Sequence, residues 1–465
     1  MSSIIQTING YLWGFPMIAF LFLTHIFMTV RTGGIQRKTL RAIRLSVKSP
    51  EGVRGGISPF EALSTSLAST LGTGNIIGVG TAVALGGAGA VFWCWITGVF
   101  GMATQYAECL LSVKYRVRDK KGQLLGGTMY VLEKGLNSRS LGIVYAGIAG
   151  VSGLLTGAAI QSNAISEIIR ESLQDSDKAV KLFGSNMSLT GILVGVVGAV
   201  LTALVVFGGL GVISRVCSFF VPFMAAAYIL GCFVVLYINR AVLADSLRLI
   251  ITQAFSLRAV AGGGTGSVML IACRFGMARG LFSNEAGLGT SSIVNASALT
   301  PNPVRQALAA MTATFWDTVV MCLVTGVVIV STIVADNGTG IQNTDGGALC
   351  YKAFVQIPFV GEGLLVFGMI TFAFSTILGW SWTGQVCAQY IFGGKGGKAY
   401  KVLWVIAVLV APLISMDTVW SLADLCNALL AVPNVYALIM LSGVVREQTR
   451  LYANNTEALS KDFVI

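Results

Sequence analysis

The sequence predicts an all-α membrane protein of about eleven transmembrane helices, two of which are broken. Its 465 residues are 55% hydrophobic and only 11% charged, whereas roughly 25% of the residues of an ordinary soluble protein are charged. About eleven apolar segments are long enough to cross a bilayer, which takes roughly 20 residues as a helix. Two of these segments are interrupted by glycine and polar residues. We therefore expect a polytopic protein with polar sites inside the membrane.

The predicted spans follow one another along the whole chain. After the first span, ten remain, and an interrupted segment opens each group of five. We expect an extra N-terminal helix and basic cytoplasmic segment at 1–56, repeats of five helices at 57–258 and 259–446, and a cytoplasmic tail at 447–465. The spans lie near 11–30, 58–83, 88–115, 141–169, 189–213, 216–238, 267–299, 305–333, 361–392, 400–415 and 418–445.

The first interrupted segment, residues 64–80, contains four glycines within nine residues: Gly72, Gly74, Gly78 and Gly80. Backbone groups freed from a helix in hydrocarbon cost several kcal/mol each, so unwound backbone must be buried in protein or line a polar cavity. The alternative interpretation is that these glycines serve only close helix packing. The segment predicts a binding site at mid-membrane.

The second interrupted segment, residues 280–292, is again rich in Gly, Ser and Asn. Interrupted segments in corresponding positions of two halves are typical of transporters built from inverted repeats. Together the two segments therefore favour a transporter over other polytopic proteins. A channel stays an alternative, because broken helices also line pores.

The basic residues indicate the topology rather than a nucleic-acid partner. The net charge is +11, and most of the 31 Lys and Arg residues fall in loops that the alternating spans assign to the cytoplasm. This distribution follows the positive-inside rule and predicts an N-terminus outside and a C-terminus in the cytoplasm. The segment at 31–54 has the composition of an amphipathic surface helix, whereas 239–258 is predicted to be an outer loop.

A further outer segment, residues 335–347, is polar and acidic and is followed by a short apolar piece up to Pro358. It is either a re-entrant cap over an external vestibule or an ordinary loop. The sequence leaves both possibilities open.

The residues that carry enzyme and metal chemistry are sparse. The nine cysteines lie singly in apolar segments, which argues against a zinc site or a disulfide framework, and His25 is the only histidine. Neither a His-Glu-x-x-His motif nor a pair of carboxylates at catalytic spacing is present. We therefore predict a protein that is not an enzyme and has no cofactor.

Several motifs resemble the alanine or glycine:cation symporter family, a group of sodium-coupled amino acid carriers. The resemblance covers nearly the whole chain, and its most specific part is RGLFSNEAGLG. The matching motifs are GTGNIIG at 72–78, GGAGAVFW at 86–93, GMATQYAEC at 101–109, RGLFSNEAGLG at 279–289, NPVRQ at 302–306, FWDT at 315–318 and STILGWS at 375–381.

The resemblance implies a leucine-transporter-type fold of two inverted five-helix repeats. It implies sodium-coupled uptake of small neutral amino acids, alanine and glycine, by alternating access across the inner, plasma membrane of a prokaryote. The expected partners are the amino acid, sodium and membrane lipid, without nucleic acid or an evident obligate protein partner. Proton coupling and a preference for glutamine stay alternatives within transport.

The two interrupted segments can bind both ends of a zwitterion. The free N–H groups near Gly74 and Asn75 suit a carboxylate, because a half-helix N-terminus carries partial positive charge, and the carbonyls near Phe282 and Ser283 suit an ammonium group. Ser283 and Asn284 add side-chain hydrogen bonds. Trp380 and Phe282 limit the volume, although aromatic residues in spans often serve packing instead. The candidate substrate-binding residues are Thr73, Gly74, Asn75, Gln161, Phe282, Ser283, Asn284, Gly287 and Trp380.

The resemblance also implies a sodium site, formed by the carbonyls of Ala68 and Leu71 with the hydroxyls of Ser375 and Thr376. As an alternative, these hydroxyls bond back to helix carbonyls one turn earlier, which is common in membrane helices.

Ionisable residues within spans are functional candidates by default. We interpret Arg279 and Glu285 as a possible gate, while Glu61, Glu108 and Glu167 are expected to be solvated near the interfaces. The remaining groups of this kind are Arg274, Asp317 and Asp424.

Overall fold

The computed structural model is predominantly helical and describes residues 9–10, 12–48, 56–120, 122–172, 179–182, 185–256, 268–336, 346–414 and 416–452. Parts of the predicted N-terminal segment (1–8), outer segment (337–345) and tail (453–465) lie outside the described residues. The first helices are α1 (Phe15–Arg31), α2 (Thr39–Val47), α3 (Pro59–Thr70), α4 (Ile77–Gly86), α5 (Gly89–Lys114), α6 (Thr128–Tyr130), α7 (Arg139–Ser172), α8 (Leu189–Val206) and α9 (Leu210–Ile238).

The second half continues with α10 (Leu243–Ala254), α11 (Val268–Asn284), α12 (Thr290–Asn295), α13 (Pro303–Ala335), α14 (Gly346–Phe354), α15 (Gly361–Val410), α16 (Asp417–Met440) and α17 (Ser442–Tyr452). Short 3₁₀ turns lie at Ile35–Lys38, Thr73–Asn75, Arg240–Val242 and Ala411–Leu413, and π-helical turns at Val131–Gly135, Gly153–Ala159 and Phe315–Cys322. Two antiparallel hairpins pair β1 (Val117–Arg118) with β2 (Leu124–Leu125) and β3 (Ala179–Leu182) with β4 (Ser185–Ser188).

Six of the described helices are long and apolar enough to cross a membrane, or eight when each of two sharply bent helix pairs is counted as one span. The predicted number of about eleven spans differs from this number of helices at three places. The predicted spans at 88–115 and 267–299 coincide with α5 and with α11 plus α12, which fall outside that length and composition test. The spans predicted at 361–392 and 400–415 are counted together as α15, although non-helical backbone at Gly393 (φ 71°, ψ −168°) divides α15 into two helical segments. The number of spans and their division into repeats stay predictions.

Two predicted boundaries are wrong. The break between the spans predicted at 189–213 and 216–238 lies earlier, between Val206 and Leu210, because Gly209 has a left-handed φ of 79° there. The stretch predicted as a loop at 239–258 contains α10, a helix that packs against α5 and α13.

Lipid-facing and core-facing surfaces are distinct in composition. Large apolar side chains such as Leu204 and Phe219 are 71% and 78% exposed on α8 and α9, as expected of helices that face hydrocarbon. In the interior, α5 packs closely against α11. Gly280 makes this contact possible, because a Cβ atom there would lie 2.9 Å from the Cys94 carbonyl oxygen and against the Thr97 hydroxyl.

Helix α1 packs against α5, and the only histidine of the sequence contributes to that contact. His25 is fully buried, and its Nδ1 atom lies 2.8 Å from Thr104 Oγ1. After α1 the chain bends by 64° into the Ile35–Val47 segment. The basic segment predicted at 31–54 thus contains a helix, α2, and its place on the membrane surface stays a prediction.

Candidate functional site

Both predicted interruptions are breaks in the helices, and they lie against each other. The first break, residues 71–76, separates α3 from α4, which are bent by 65°. The second break, residues 285–289, separates α11 from α12. Asn75 Nδ2 donates a hydrogen bond to Ser283 Oγ at 3.0 Å, and a Cβ atom at Gly74 would lie 3.7 Å from the Phe282 ring. The unwound backbone is therefore buried in protein, as the physics of the bilayer requires.

The first break depends on the lack of a side chain at Gly72. A Cβ atom there would lie 2.8 Å from Thr376 Oγ1, so glycine allows α15 to approach the break. The Gly72 N–H donates to Asn75 Oδ1 at 3.0 Å. Among the described residues, the N–H groups of Thr73 and Gly74 have no hydrogen-bond acceptor. These two N–H groups are available to an anion at the start of the α4 half-helix.

The second break is fixed by residues from two other helices. Gly287 and Gly289 have left-handed φ angles of 99° and 80°, which glycine adopts without strain. Glu108 Oε1 accepts the Gly287 N–H at 2.8 Å. Asn434 Nδ2 donates to the same carboxylate oxygen at 2.6 Å and to the Gly287 carbonyl oxygen at 2.8 Å.

Glu108 was expected near a solvated interface, and this prediction is wrong. Its side chain is only 3% exposed. Its carboxylate accepts a backbone hydrogen bond of the second break, in place of the helical hydrogen bonds that this backbone has lost. Glu61 is half-buried and forms a capping box with Ser58 at the start of α3.

A small cavity, called the central cavity below, lies between the breaks. Its volume is ≈ 20 Å³, which is enough for about one water molecule. An amino acid therefore fits only after side chains or helices move. The central cavity is lined by Ser69, Thr70, Gly72, Gly74, Thr156, Gln161, Phe282, Ser283, Glu285, Thr376, Trp380 and Asn427.

The structure brings five of the nine candidate substrate-binding residues to this cavity: Gly74, Gln161, Phe282, Ser283 and Trp380. The other four, Thr73, Asn75, Asn284 and Gly287, belong to the breaks but are not among the lining residues.

Two of these four have side chains that bond to the breaks themselves. Asn284 Oδ1 accepts the Ala286 N–H at 3.0 Å, and Asn75 Oδ1 accepts the Gly72 N–H at 3.0 Å. Whether either residue contacts a substrate stays a prediction.

Trp380 is the largest side chain of the cavity wall, and its position is tightly constrained. Its Nε1–H donates to Glu285 Oε1 at 3.1 Å. On its other side, a Cβ atom at Gly157 would lie 2.6 Å from Trp380 Cγ. A rigid indole at this place limits the size of any ligand.

The sequence analysis did not select Ser69, Thr70, Thr156 and Asn427 as candidates. The amide of Asn427 in an apolar span was a usable signal, because polar groups in hydrocarbon are costly and tend to face cavities. No comparable signal singles out Thr156 among the many hydroxyl residues of the spans.

A buried polar cluster lies directly behind the central cavity. Asp317, in the π-helical turn of α13, is fully buried. Its carboxylate accepts hydrogen bonds from Asn75 Nδ2 at 2.7 Å, Ser283 Oγ at 3.0 Å and Thr318 Oγ1 at 2.6 Å. The cluster thereby connects both breaks to α13.

Glu285 and Arg279 do not form the predicted ion pair. Glu285 Oε2 accepts from Thr290 Oγ1 at 2.5 Å and Oε1 from Trp380 Nε1–H. The two ion pairs found among the described residues involve other side chains. In this conformation Glu285 is part of the cavity wall, and Arg279 is not among the residues that line the cavity.

The proposed sodium ligands are only partly assembled. Thr376 Oγ1 lies 3.3 Å from the Leu71 carbonyl oxygen and 3.0 Å from that of Phe372, and Ser375 Oγ donates to Phe372 O at 2.9 Å. Both hydroxyls therefore also make the intrahelical bonds of the alternative interpretation. Their lone pairs remain available to a cation, because a hydroxyl that donates one hydrogen bond still accepts.

A second, larger cavity of ≈ 560 Å³ lies beside α4 and is called the side cavity below. Its wall contains Ile76 from the first break, Glu167 and Glu171 from α7, Tyr351 from α14 and Glu362 from α15. Helix α14 is attached to the first break, because the Cys350 thiol donates to the Ile76 carbonyl oxygen at 3.2 Å.

The chain is similar to known proteins over nearly its whole length. A profile of the sodium:alanine symporter family matches residues 1–464. The chain is 39% identical to the sodium/alanine symporter AgcS of Methanococcus maripaludis over 458 residues, which cover 97% of each chain. It is 40% identical to a transporter of Haemophilus influenzae over 457 residues, 97% of this chain and 96% of that one.

A solved structure supports the fold class. The crystal structure of MhsT in complex with L-phenylalanine covers 86% of this chain and 99% of its own, with a TM-score of 0.55 and 13% identity. MhsT has the leucine-transporter-type fold. The similarity therefore supports that part of the sequence prediction.

Proposed function

The chain belongs to the sodium:alanine symporter family, and from this premise we propose that it takes up small neutral amino acids, alanine and glycine, together with sodium by alternating access. Members of this family are transporters and not enzymes. Sodium-coupled amino acid symport is the activity that family membership supports. The two five-helix repeats at 57–258 and 259–446, with an N-terminus outside, are part of the proposal.

The observation that carries the proposal is the central cavity between two helix breaks. Its wall near Gly74 offers backbone N–H groups to a carboxylate. Ser283 and the end of α11 offer oxygen atoms to an ammonium group. A zwitterion would then be bound without an unpaired buried charge, which is the arrangement that a low-dielectric interior favours.

The size of the cavity argues for small substrates. Trp380 is held between Glu285 and Gly157, and the volume of ≈ 20 Å³ must increase even for glycine. A glutamine-preferring carrier would need a much larger expansion. The side cavity reaches Ile76, two residues from Gly74 of the central cavity, and we propose it as the entrance.

Sodium is the coupling ion in this proposal, with the carbonyls of Ala68 and Leu71 and the hydroxyls of Ser375 and Thr376 as its ligands. The contact between Thr376 Oγ1 and Leu71 O at 3.3 Å supports this assignment. Proton coupling is the second candidate, because the carboxylate of Glu285 lines the central cavity.

Proteoliposomes with an imposed inward sodium gradient test the proposal. We expect accumulation of labelled alanine above its equilibrium level, and no accumulation with potassium at matched pH and membrane potential. Uptake driven equally well by a proton gradient without sodium would favour proton coupling. Folded protein that accumulates neither alanine nor glycine would contradict the proposal.

Removing the Thr376 hydroxyl should weaken sodium binding. We expect Thr376→Val to raise the sodium concentration for half-maximal uptake on the order of 10-fold or more, because a polar contact to a charge contributes about 1.5–3 kcal/mol. The matched control is Thr371→Val, on the same helix, whose hydroxyl bonds only to Phe367 and Gly368 carbonyls. An unchanged sodium dependence in Thr376→Val would remove this residue from the ion site.

A further inference from the structure

Two buried polar atoms of the central cavity have no hydrogen-bond partner among the residues that the structure describes: Thr156 Oγ1 and Gln161 Oε1. Their side chains are only 6% and 5% exposed. Buried polar atoms are nearly always paired, and an unpaired one destabilises the protein by about 1–3 kcal/mol. Unpaired atoms in the wall of a binding cavity are therefore expected to pair with the ligand.

The backbone of α7 brings Thr156 to the cavity. Residues Gly153–Ala159 form a π-helical turn, a local widening of the helix that is frequent at functional sites. Gln161 Nε2 donates to the Thr156 carbonyl oxygen at 3.3 Å within this turn. The amide nitrogen of Gln161 is thus used internally.

Thr156, Gln161 and Trp380 all line the central cavity. Gln161 Oε1 is near the first break, 3.6 Å from the position of a Cβ atom at Gly72. Thr156 lies next to Gly157, which packs against Trp380. It is also one helical turn from Ser152, whose hydroxyl donates to Asn427 Oδ1 at 2.8 Å. The Thr156 hydroxyl therefore belongs to the wall that limits the size of a substrate side chain.

We propose that Thr156 is a specificity residue whose hydroxyl hydrogen-bonds the side-chain hydroxyl of a small hydroxylated amino acid such as serine. Alanine and glycine leave Thr156 Oγ1 unpaired, whereas serine supplies both a donor and an acceptor and is only one oxygen atom larger than alanine. This inference rests on the proposed uptake of small neutral amino acids and adds the chemical class that the site binds best. Gln161 faces the substrate main chain and is common to all substrates.

The substitution Thr156→Val tests this assignment, because valine keeps the shape and removes the hydroxyl. Competition against labelled alanine uptake gives the relative affinities of serine, alanine and glycine. We expect serine to lose on the order of 5-fold in affinity relative to alanine, the size of one neutral hydrogen bond, while alanine and glycine stay within about 2-fold. Thr202→Val is the matched control, because Thr202 is also fully buried with an unpaired hydroxyl but lies on α8, outside the cavity lining.

Other outcomes contradict the inference. An equal loss for all three amino acids would assign the Thr156 hydroxyl to the substrate main chain, and an unchanged serine-to-alanine ratio would remove it from the site.

A measurement on the unmodified protein gives an independent test that does not depend on transport or on the folding of a variant. The ligand-induced thermal stabilisation of purified protein should be greater with serine than with 2-aminobutyrate, which replaces the hydroxyl by a methyl group. Equal or weaker stabilisation by serine would overturn the proposal. Binding of serine without sodium-driven accumulation would contradict the proposed function and leave this selectivity intact.

Discussion

Replacement of Asp317 by alanine is expected to abolish amino acid uptake. The carboxylate accepts hydrogen bonds from Asn75, Ser283 and Thr318, and all four residues are buried. Each buried donor left without an acceptor destabilises the fold by about 1–3 kcal/mol. The sum is comparable with the whole stability of many proteins, which is about 5–15 kcal/mol. Because Asn75 and Ser283 belong to the two broken helices, the breaks should lose their relative position first.

The measurement is sodium-driven alanine uptake, together with size-exclusion chromatography of the solubilised variant to detect misfolded protein. Asp317→Asn keeps one carbonyl oxygen and should give an intermediate rate. Asp245→Ala removes an exposed carboxylate on α10 and should leave uptake unchanged. Normal uptake by Asp317→Ala would contradict the assigned role of this cluster.

Replacement of Glu108 by alanine is the second change for which we expect a loss of uptake to background. Its Oε1 atom accepts from the Gly287 N–H and from Asn434 Nδ2. Without that oxygen, the Gly287 N–H in the left-handed backbone of the second break loses its acceptor on α5, and Asn434 Nδ2 keeps only its bond to the Gly287 carbonyl oxygen. Glu285, which lines the central cavity, lies at the start of this break and should move with it.

Glu108→Gln separates the hydrogen bond from the charge. The glutamine amide oxygen can still accept the Gly287 N–H, so we expect partial uptake. The reduction should appear mainly in the maximal rate of uptake. Glu447→Ala, an exposed position on α17, serves as the control. Equal rates in Glu108→Ala and in the unmodified protein would show that the second break holds its shape without α5.

The positions of the two breaks were predictable because they depend on local composition. Glycine clusters inside apolar segments are unstable as lipid-exposed helix, so the sequence alone locates unwound backbone within residues 64–80 and 280–292. The structure narrows the breaks to residues 71–76 and 285–289. Not every glycine of the cluster marks the break, however. Gly80 lies within α4, where it permits contact with the backbone of Gly346 on α14. That distinction depends on a partner 266 positions later in the chain.

The partners of the buried charges were not predictable in the same way. The sequence suggested a pair between Arg279 and Glu285, six positions apart, but the left-handed conformation of Glu285 (φ 54°) directs the chain away from the helix that carries Arg279. Glu285 contacts Trp380 instead. Which groups meet Glu285 is decided by how α11 and α15 pack.

The sequence by itself determined the membrane class, the family, the breaks and several cavity residues, among them Gly74, Phe282 and Trp380. The membrane class and the breaks were accessible because hydropathy and backbone freedom are local properties of the sequence. Only the tertiary structure separated residues that line the cavity from residues that stabilise the breaks. Asn75 and Asn284 have the polarity of ligands, yet their side chains bond to the breaks, while Thr156 and Asn427 reach the cavity from other helices. A side chain's role follows from the groups that surround it, and in a helical membrane protein those groups come from distant parts of the chain.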